Sequence, residues 1–390
     1  MGRDTDRLIY LDNAATTAKK PDVVAQAVYD AIQGGRMGNA ERGAVGGSLE
    51  ASRVVYRARK AVAELFGCSS PEQAAFTANS TESLNMAIQG LLEPGAHVIT
   101  TVMEHNSVLR PLRRMEAQGV EVTVLPLSPA DGWQIPAAAF ERAIRPNTEA
   151  IICTHASNLT GDQVDIQAVG ALCRRHGLVF VLDASQTAGV FDIDMETMGI
   201  DVVCFTGHKS LFGPQGTGGI CVRKGLSVRP LLEGGTGIRT YDRRQPLEMP
   251  TTLEAGTLNT HGIAGLLAAL EWRKEAGEAG LRERELELAA AFYEGVKGLP
   301  GVTVYGNFER RLRAPIVALN LLDYDSGQVA EELYERFAIQ TRPGGHCAPL
   351  YHQALGTERQ GAVRFSFSCF NTEEDVEAAV RAMEILAKEG

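Results

Sequence analysis

Short apolar runs alternate with amphipathic stretches between residues 74 and 223. This rhythm is typical of an α/β sheet covered by helices, and it predicts that most of the sheet is parallel. Helical periodicity indicates helices at 81–91, 106–118, 136–144 and 165–176. The apolar runs predict seven strands, at AAFT (74–77), HVITTV (97–102), EVTVL (121–125), AIICTH (150–155), LVFVLDA (178–184), DVVCF (201–205) and GICVR (219–223).

The pattern changes after about residue 260. A long helical stretch at 262–298, broken near Gly277 and Gly280, precedes apolar runs that predict strands at 302–305, 316–322 and 362–367 and amphipathic helices at 326–337 and 373–388. We therefore expect a large domain over residues 15–260, which holds the seven-stranded sheet, and a smaller α+β domain formed by 1–14 and 261–390. The glycine-rich segment 34–47 is interpreted as a mobile loop.

Composition narrows the class of protein. The chain has 390 residues, 44% of them hydrophobic and 22% charged, which is ordinary for a globular protein with two sizeable cores. Its formal charge of −10 and the lack of a dense basic run make nucleic acid an unexpected partner. The N-terminal region lacks an apolar signal core, and no segment approaches the roughly 20 apolar residues of a membrane span. We expect a cytoplasmic protein that binds no membrane.

The cysteines indicate neither a disulfide framework nor a metal site. There are seven, widely spaced and without a C-x-x-C pair. Four of them lie in apolar strand or helix contexts, where a cysteine behaves as a small buried hydrophobe: Cys153, Cys173, Cys204 and Cys221. Cys347 differs, because it lies in a predicted loop rich in glycine and proline, TRPGGHCAPLYH (341–352).

Lys209 is the first candidate for chemistry. It follows the strand DVVCF, whose unbroken apolar run predicts burial on both faces, and it precedes a glycine-rich turn. Ligands bind at the carboxyl ends of strands in open α/β sheets. A lysine held out of water there loses its proton more easily and can form a Schiff base with a carbonyl cofactor, which suggests pyridoxal 5'-phosphate (PLP).

Other strand ends supply further parts of a PLP site. Asp183 ends the strand LVFVLD, and a buried carboxylate there would keep the pyridine nitrogen of PLP protonated. Gln186 follows one turn later. Ser80 and Thr81 stand at the start of a helix, where backbone amides and the helix dipole favour a phosphate dianion.

Four more polar residues follow or flank strand ends. Thr206 and His208, on either side of Gly207, complete the phosphate site. His105, after the strand 97–102, lies at the rim of the same crevice, where it can stack on the cofactor ring. Asn158, after the strand 150–155, is placed to hydrogen-bond the ring oxygen or the substrate amine.

Over nearly its whole length the chain resembles the class V (fold type I) PLP-dependent enzymes, in particular cysteine desulfurases and selenocysteine lyases. The resemblance rests on nine motifs that occur in the same order as in that family. The motifs are YLDNAATT (10–17), NSTESLN (79–85), MEHNS (103–107), SNLTG (157–161), LDASQTAG (182–189), TGHKSLFGPQGTG (206–218), EAGTLNTHGIAGL (254–266), RPGGHC (342–347) and VRFSFSCFNTEEDV (363–376).

The resemblance implies a role for each residue. Lys209 would form the Schiff base, Asp183 would pair with the pyridinium, Gln186 would contact the ring hydroxyl, and His105 would stack on the ring. Ser80, Thr81, Thr206 and His208 would hold the phosphate. Thr257 would reach the phosphate of the neighbouring subunit, which implies a homodimer with shared active sites.

The resemblance also implies the substrate and the fate of its sulfur. The guanidinium fork of Arg364 suits an α-carboxylate, with Asn158 and Arg342 as further substrate-binding residues. The pKa of the Cys347 thiol is expected to lie below the reference value of about 8.5, because its neighbours Arg342 and His346 can both carry positive charge and so stabilise the thiolate. The implied reaction converts L-cysteine to L-alanine and passes sulfur to Cys347 as a persulfide, for delivery to a protein acceptor.

Several alternatives stay open. A selenocysteine lyase, another carbon–sulfur lyase or a class V aminotransferase would keep Lys209 and Asp183 and differ at Cys347. A nicotinamide-dependent oxidoreductase would need G-x-G-x-x-G after a strand, which GTGG (216–219) and GGTG (234–237) do not fit. A scaffold that has lost catalysis is a third class. Glu41, Val45 and the acidic run GDQVDI (161–166) depart from the family pattern near the expected pocket mouth, so the acceptor or substrate is open.

Overall fold

A computed structural model describes residues 7–35, 37–40, 46–128, 134–309 and 313–390 of the chain. The predicted departures at Glu41 and Val45 lie outside these residues. The predicted α/β fold is confirmed: a large, mostly parallel seven-stranded sheet is accompanied by a smaller C-terminal three-stranded sheet. The domain boundaries at 14/15 and 260/261 stay a prediction.

The seven strands lie where the apolar runs predict them. They are β2 (Ala74–Thr77), β3 (His97–Thr101), β4 (Glu121–Leu125), β5 (Thr148–Thr154), β6 (Val179–Asp183), β7 (Val202–Thr206) and β8 (Gly218–Val222). Their order across the sheet is β2-β8-β7-β6-β5-β3-β4. Every residue of β7 is buried, as its unbroken apolar run predicts.

One strand runs against the others and determines where the site forms. β8 pairs antiparallel with both β7 and β2, so β2 runs parallel to β7 and ends at the same edge of the sheet. The glycine at position 218 permits this close approach, because a Cβ there would lie 2.8 Å from both the Asn79 Cα and the Phe205 carbonyl oxygen. The helix that follows β2 therefore starts beside the carboxyl ends of β6 and β7.

Helices cover both faces of the sheet, since the core of the large sheet divides into two apolar clusters. The helices between the strands are α3 (Ser80–Leu91), α4 (Asn106–Glu116), α5 (Ala137–Arg142), α6 (Ile166–His176) and α7 (Met195–Met198). Two helices before the sheet, α1 (Asp22–Gln33) and α2 (Gly46–Leu65), were not predicted. The predicted loop 34–47 is wrong at its end, because Gly46 begins α2.

The C-terminal part contains the predicted strands β9 (Val302–Tyr305), β10 (Ile316–Leu321) and β12 (Val363–Ser366), which form an antiparallel sheet. The break near Gly277 is confirmed, as α8 (Thr260–Ala276) ends and α9 (Glu278–Val296) begins around it. The remaining helices are α10 (Ser326–Phe337), α11 (Pro349–Leu355) and α12 (Glu373–Glu389). β1 (Ile9–Tyr10) pairs in parallel with β11 (Ile339–Gln340).

The two long helices α8 and α9 pack against different parts of the chain. α8 packs against α1 and α2, and α9 packs against α12. None of the helices in the described ranges is long and apolar enough to cross a membrane.

A buried ion pair lies against β2, one of the two edge strands of the large sheet. Arg59 on α2 donates to both carboxylate oxygens of Glu254, at 2.7 and 2.9 Å, and Glu254 also accepts the Phe76 amide of edge strand β2 at 2.6 Å. Both side chains of the pair are less than a tenth exposed. The carboxylate thus satisfies an amide that no neighbouring strand reaches.

Replacing Glu254 by alanine should lower the free energy of unfolding by about 3–5 kcal/mol, because it leaves the buried Arg59 guanidinium without its counter-ion and the Phe76 amide without an acceptor. Urea titration followed by circular dichroism measures the loss. Glu271→Ala is the matched control, since it removes an exposed ion pair with Arg57 and should cost about 1 kcal/mol or less. Equal losses in the two variants would contradict the prediction.

Candidate active site

Nine of the predicted site residues line one cavity of about 200 Å³ at the carboxyl edge of the large sheet. The cavity lies where β2, β3, β5, β6 and β7 end, which is where open α/β sheets bind ligands. These nine residues are Ser80, Thr81, His105, Asn158, Asp183, Gln186, Thr206, His208 and Lys209. The positions that sequence reasoning took from separate strand ends therefore meet in space.

Lys209 lies in a tight turn just after β7. The turn is closed by bonds from the Phe212 amide to the Lys209 carbonyl and from the Gly213 amide to the Gly207 carbonyl, each of 2.8 Å. Burial lowers the pKa of the Lys209 amine to about 8, although the Asp183 carboxylate acts in the opposite direction. About a tenth of the amine is therefore neutral at pH 7, far more than for a lysine with the ordinary pKa of about 10.4.

Asp183, the last residue of β6, is 3% exposed. Its Oδ1 atom accepts the Ser185 amide at 2.9 Å and the Ser185 hydroxyl, with the Ser80 hydroxyl at 3.4 Å. Within the described ranges no group donates to the other oxygen, Oδ2. One carboxylate oxygen is thus held in place, and the second remains able to accept a proton donor inside the cavity.

Two histidines at the cavity are neutral at physiological pH. The Ser107 amide donates to His105 Nδ1 at 3.0 Å, which leaves the ring proton on Nε2. Burial and the neighbouring Lys209 lower the pKa of His105 to about 4. The same two causes, together with Lys20, lower the pKa of His208 to about 4. A neutral ring at His105 suits stacking and proton exchange at Nε2.

The start of α3 offers groups for an anion. The Asn79 side chain caps the helix by accepting the Glu82 amide at 3.1 Å. The amides of Ser80 and Thr81 lie in the first turn, where no preceding helical carbonyl can accept them, and they point out of the positive end of the helix. Thr206 adds a buried hydroxyl that has no hydrogen-bond partner in the described part of the chain. Such a hydroxyl is costly to bury unless a ligand satisfies it.

The remaining predicted residues lie outside the lining of this cavity. Arg364 on β12 is 3% exposed and donates to Asp12 Oδ1 and to the Asn158 carbonyl, both at 2.8 Å. Its Nε atom is buried and has no partner among the described residues. Arg364 also shifts the pKa of Lys209, which places the guanidinium within electrostatic reach of the amine.

Cys347 is exposed, and the backbone of its segment is hydrogen-bonded to two other parts of the chain. Its carbonyl accepts the Asn106 amide at 2.8 Å, and the carbonyl of His346 accepts the Asn158 side chain at 2.6 Å. Both His346 and Cys347 have positive φ, 49° and 56°, which turns the backbone sharply here. The predicted loop 341–352 is shorter in the structure, because α11 begins at Pro349.

The prediction that His346 is a cationic neighbour of Cys347 is wrong. Burial lowers the pKa of His346 to about 3, with Arg364 as a second cause, so the ring is neutral. Its Nε2 atom lies 3.0 Å from the Arg342 carbonyl. Arg342 is exposed and is the cation that remains next to the Cys347 loop.

Thr257 does not line the cavity. It is exposed, and its hydroxyl accepts the Asn39 side chain at 3.4 Å. A contact between Thr257 and a phosphate would therefore have to form with another subunit, which is the geometry that the resemblance implies.

Sequence reasoning missed three groups that shape the site. Ser185 supplies two of the hydrogen bonds to Asp183, and Ser107 links His105 to the Thr81 hydroxyl at 2.8 Å. Glu104, fully buried beneath them, accepts the Thr154 amide at 2.9 Å, and burial raises its pKa to about 8. All three lie within the motifs LDASQTAG and MEHNS, so their positions were visible although their contacts were not.

A larger cavity, of about 680 Å³, lies between α2, α8 and the segment after β6. Its charged side chains pair with one another and leave little to bind a ligand. The pairs are Arg57–Glu271, Lys60–Glu64, Lys274–Glu64 and Arg282–Asp192. In the described residues no group of three histidine, cysteine or acidic side chains could hold a metal ion.

Comparisons with known proteins agree with this geometry. The aminotransferase class-V family model matches residues 9–379. A probable cysteine desulfurase from Methanothermobacter thermautotrophicus is 31% identical over 98% of this chain and 95% of its own length. The cysteine desulfurase IscS of Shewanella denitrificans is 32% identical over 96% of this chain and 91% of its own.

Solved structures show the same fold. The apo cysteine desulfurase from Thermococcus onnurineus superposes with a TM-score of 0.91, at 30% identity over 98% of this chain and 95% of that one. The cysteine desulfurase CsdA from Escherichia coli gives a TM-score of 0.87, at 28% identity with the same coverage. From the family match over nearly its whole length and from these relatives, the chain belongs to the aminotransferase class-V family.

Proposed function

We propose that this chain is a PLP-dependent cysteine desulfurase, which converts L-cysteine to L-alanine and transfers the sulfur to Cys347. The observation that carries the proposal is the placement of Lys209, whose amine has a pKa of about 8, in one cavity with Asp183 and within electrostatic reach of Cys347 and Arg364. The names of the relatives support the same reaction.

The residues present fit PLP. Asp183 Oδ2 lacks a donor in the described part of the chain and would accept the pyridinium proton, and the unpartnered Thr206 hydroxyl would bind the phosphate. The groups at the start of α3 and His208 would complete the phosphate site, with Thr257 of a second subunit. Lys209 would attach the cofactor covalently, His105 would stack on the ring, and Gln186 would contact its hydroxyl. When bound, PLP supplies an electron sink for bond changes at the substrate α-carbon.

Proton transfer falls to Lys209. A neutral amine can take the α-proton of the substrate, and a pKa of about 8 lets the ammonium return a proton at a similar pH. The Asp183 charge keeps this pKa from falling further, since it is the largest influence that opposes burial.

The substrate carboxylate would bind at Arg364. Two of its five N–H groups are engaged by Asp12 and the Asn158 carbonyl, and Nε remains buried without a partner in the described residues. The Oδ1 atom of Asn158 is also buried and has no hydrogen-bond partner among the residues that the structure describes, which suits the substrate amine. Arg342, exposed beside the Cys347 loop, adds positive charge at the entrance.

Cys347 would receive the sulfur. Its thiolate attacks the sulfur atom of the substrate, a new S–S bond forms as the C–S bond breaks, and the carbon keeps the electron pair and is later protonated to give alanine. Exposure of Cys347 leaves the resulting persulfide open to a protein acceptor. A homodimer with shared sites and a cytoplasmic location are part of this proposal.

Reaction of apoenzyme lysines with an amine-labelling reagent should show Lys209 labelled with a midpoint near pH 8, because the labelled species is the neutral amine. Asp183→Asn removes the charge that raises the pKa of Lys209, so the midpoint should move to lower pH. Peptide mass analysis across a pH series gives both midpoints. A midpoint near pH 10.5, or an upward shift in the variant, would count against the assigned environment.

Replacing Cys347 by alanine should reduce alanine formation from cysteine by at least about 100-fold, since the sulfur loses its acceptor. Mass analysis of the wild-type protein after one turnover should show one added sulfur atom on the peptide that contains residue 347. Cys68→Ala is the control, because this half-buried thiol lies outside the cavity lining. Unchanged alanine formation in the Cys347 variant would remove the persulfide role.

Purified protein supplied with PLP should absorb visible light, and borohydride should bleach this colour and fix the cofactor to the peptide containing Lys209. Lys209→Ala should abolish the covalent adduct. A colourless protein, or an adduct on a different lysine, would overturn the proposed cofactor chemistry.

A further inference from the structure

Arg273 is the largest of the fully buried side chains, although it belongs to α8 and not to the cavity lining. Its Nη1 atom donates to the Ser210 carbonyl at 2.6 Å, and its Nη2 atom donates to the Gly189 carbonyl. Ser210 directly follows Lys209. Gly189 ends the segment that begins at Asp183, so one guanidinium binds the chain just beyond both residues.

We propose that Arg273 is a positioning residue that fixes Lys209 relative to Asp183. The inference rests on the proposed function, in which these two residues hold opposite parts of the cofactor. A guanidinium is suited to this task because its planar fork donates to two fixed acceptors at once, which a single ammonium cannot do with the same geometry.

Close packing at position 189 leaves room only for glycine beside the Arg273 guanidinium and the Ser210 carbonyl. Gly189 has a φ of 81°, and a Cβ atom there would lie 3.0 Å from Arg273 Cζ and 2.9 Å from the Ser210 carbonyl oxygen. Any larger side chain would push the guanidinium or the Lys209 turn away. The glycine thus permits three segments to meet: the end of the Asp183 segment, the Lys209 turn and α8.

The N-terminal segment binds two further carbonyls of the Lys209 turn. The Thr17 hydroxyl donates to the Lys209 carbonyl at 2.6 Å, and the Lys20 ammonium donates to the His208 carbonyl at 2.7 Å. Three successive carbonyls, those of residues 208 to 210, are therefore bound from outside the turn. Arg273 supplies the contact on the side that faces α8.

Two acidic side chains lie near the Arg273 guanidinium. Glu285 is 3% exposed and interacts electrostatically with Arg273, and Glu278 lies 3.8 Å away at the surface. The guanidinium also lies 5.5 Å from the centre of the Phe212 ring, within the Lys209 turn. Burying a cation is costly unless hydrogen bonds and opposite charges compensate, and here its hydrogen bonds go to the two site segments.

Arg273→Met, Arg273→Lys and the control Arg282→Met test the proposal. Arg282, like Arg273, lines the cavity of about 680 Å³ between α2, α8 and the segment after β6. It pairs with Asp192, and the structure gives it no contact with either carbonyl. Two quantities are measured: the pKa of Lys209 in the apoprotein, from pH-dependent labelling, and the Kd for PLP, from absorbance. Circular dichroism and the unfolding midpoint show whether each variant is folded.

The methionine variant should raise the pKa of Lys209 by about one unit, because a released turn gives the amine more water, and should weaken PLP binding about tenfold. The lysine variant should lie between it and the wild type, and the Arg282 variant should match the wild type. A folded Arg273→Met protein with wild-type values for both quantities would overturn the proposal.

If the methionine variant does not fold, Arg273→Lys decides, and wild-type values in that variant would overturn the proposal. The labelling experiment needs no cofactor. A wild-type protein that fails to bind PLP would therefore contradict the proposed function, while the pKa comparison would still test the role of Arg273 in placing Lys209.

Discussion

The structure of the site depends on an electrostatic balance at a single amine. Burial alone makes the ammonium form of Lys209 costly, and the carboxylate of Asp183 across the cavity recovers part of that cost. The outcome, a pKa of about 8, requires that neither group move far, because both effects change steeply with distance and hydration. The surrounding hydrogen bonds to residues 183, 208, 209 and 210 are best understood as the means by which the fold keeps this balance.

The sheet topology makes such a balance available. Asp183 ends β6 and Lys209 follows the neighbouring parallel strand β7, so both residues lie at the same edge of the sheet. The reversed strand β8 lies between β7 and β2 but leaves β2 parallel to them, which brings the start of α3 to the same edge. Polar groups separated by more than a hundred residues in sequence, such as Ser80 and Asp183, consequently lie in hydrogen-bond contact.

Much of this arrangement could be predicted from sequence because it depends on local pattern. An unbroken apolar run such as DVVCF indicates a buried strand, and the residue after it must emerge at the strand end. The burial of a side chain in a loop has no such local signal, because it depends on residues that are distant in the sequence. His346 was expected to be charged beside Cys347, yet it is buried by residues distant in sequence and is neutral. The partner of Arg364, Asp12, is likewise 352 positions away, and no periodicity links them.

Helix α2 was missed for a related reason. It begins within a glycine-rich run that locally favours a loop, and its buried face mixes alanines and valines with a charged residue, Arg59. These give a weak apolar pattern, whereas close packing against α8 stabilises the helix in the folded chain.

The backbone around Cys347 is tied to α4 through Asn106 and to the end of β5 through Asn158. Under the proposed function, Cys347 would present its sulfur at this rim of the enzyme. An acceptor would then have to bring its own nucleophile to Cys347, so the shape of the acceptor would determine whether it receives sulfur.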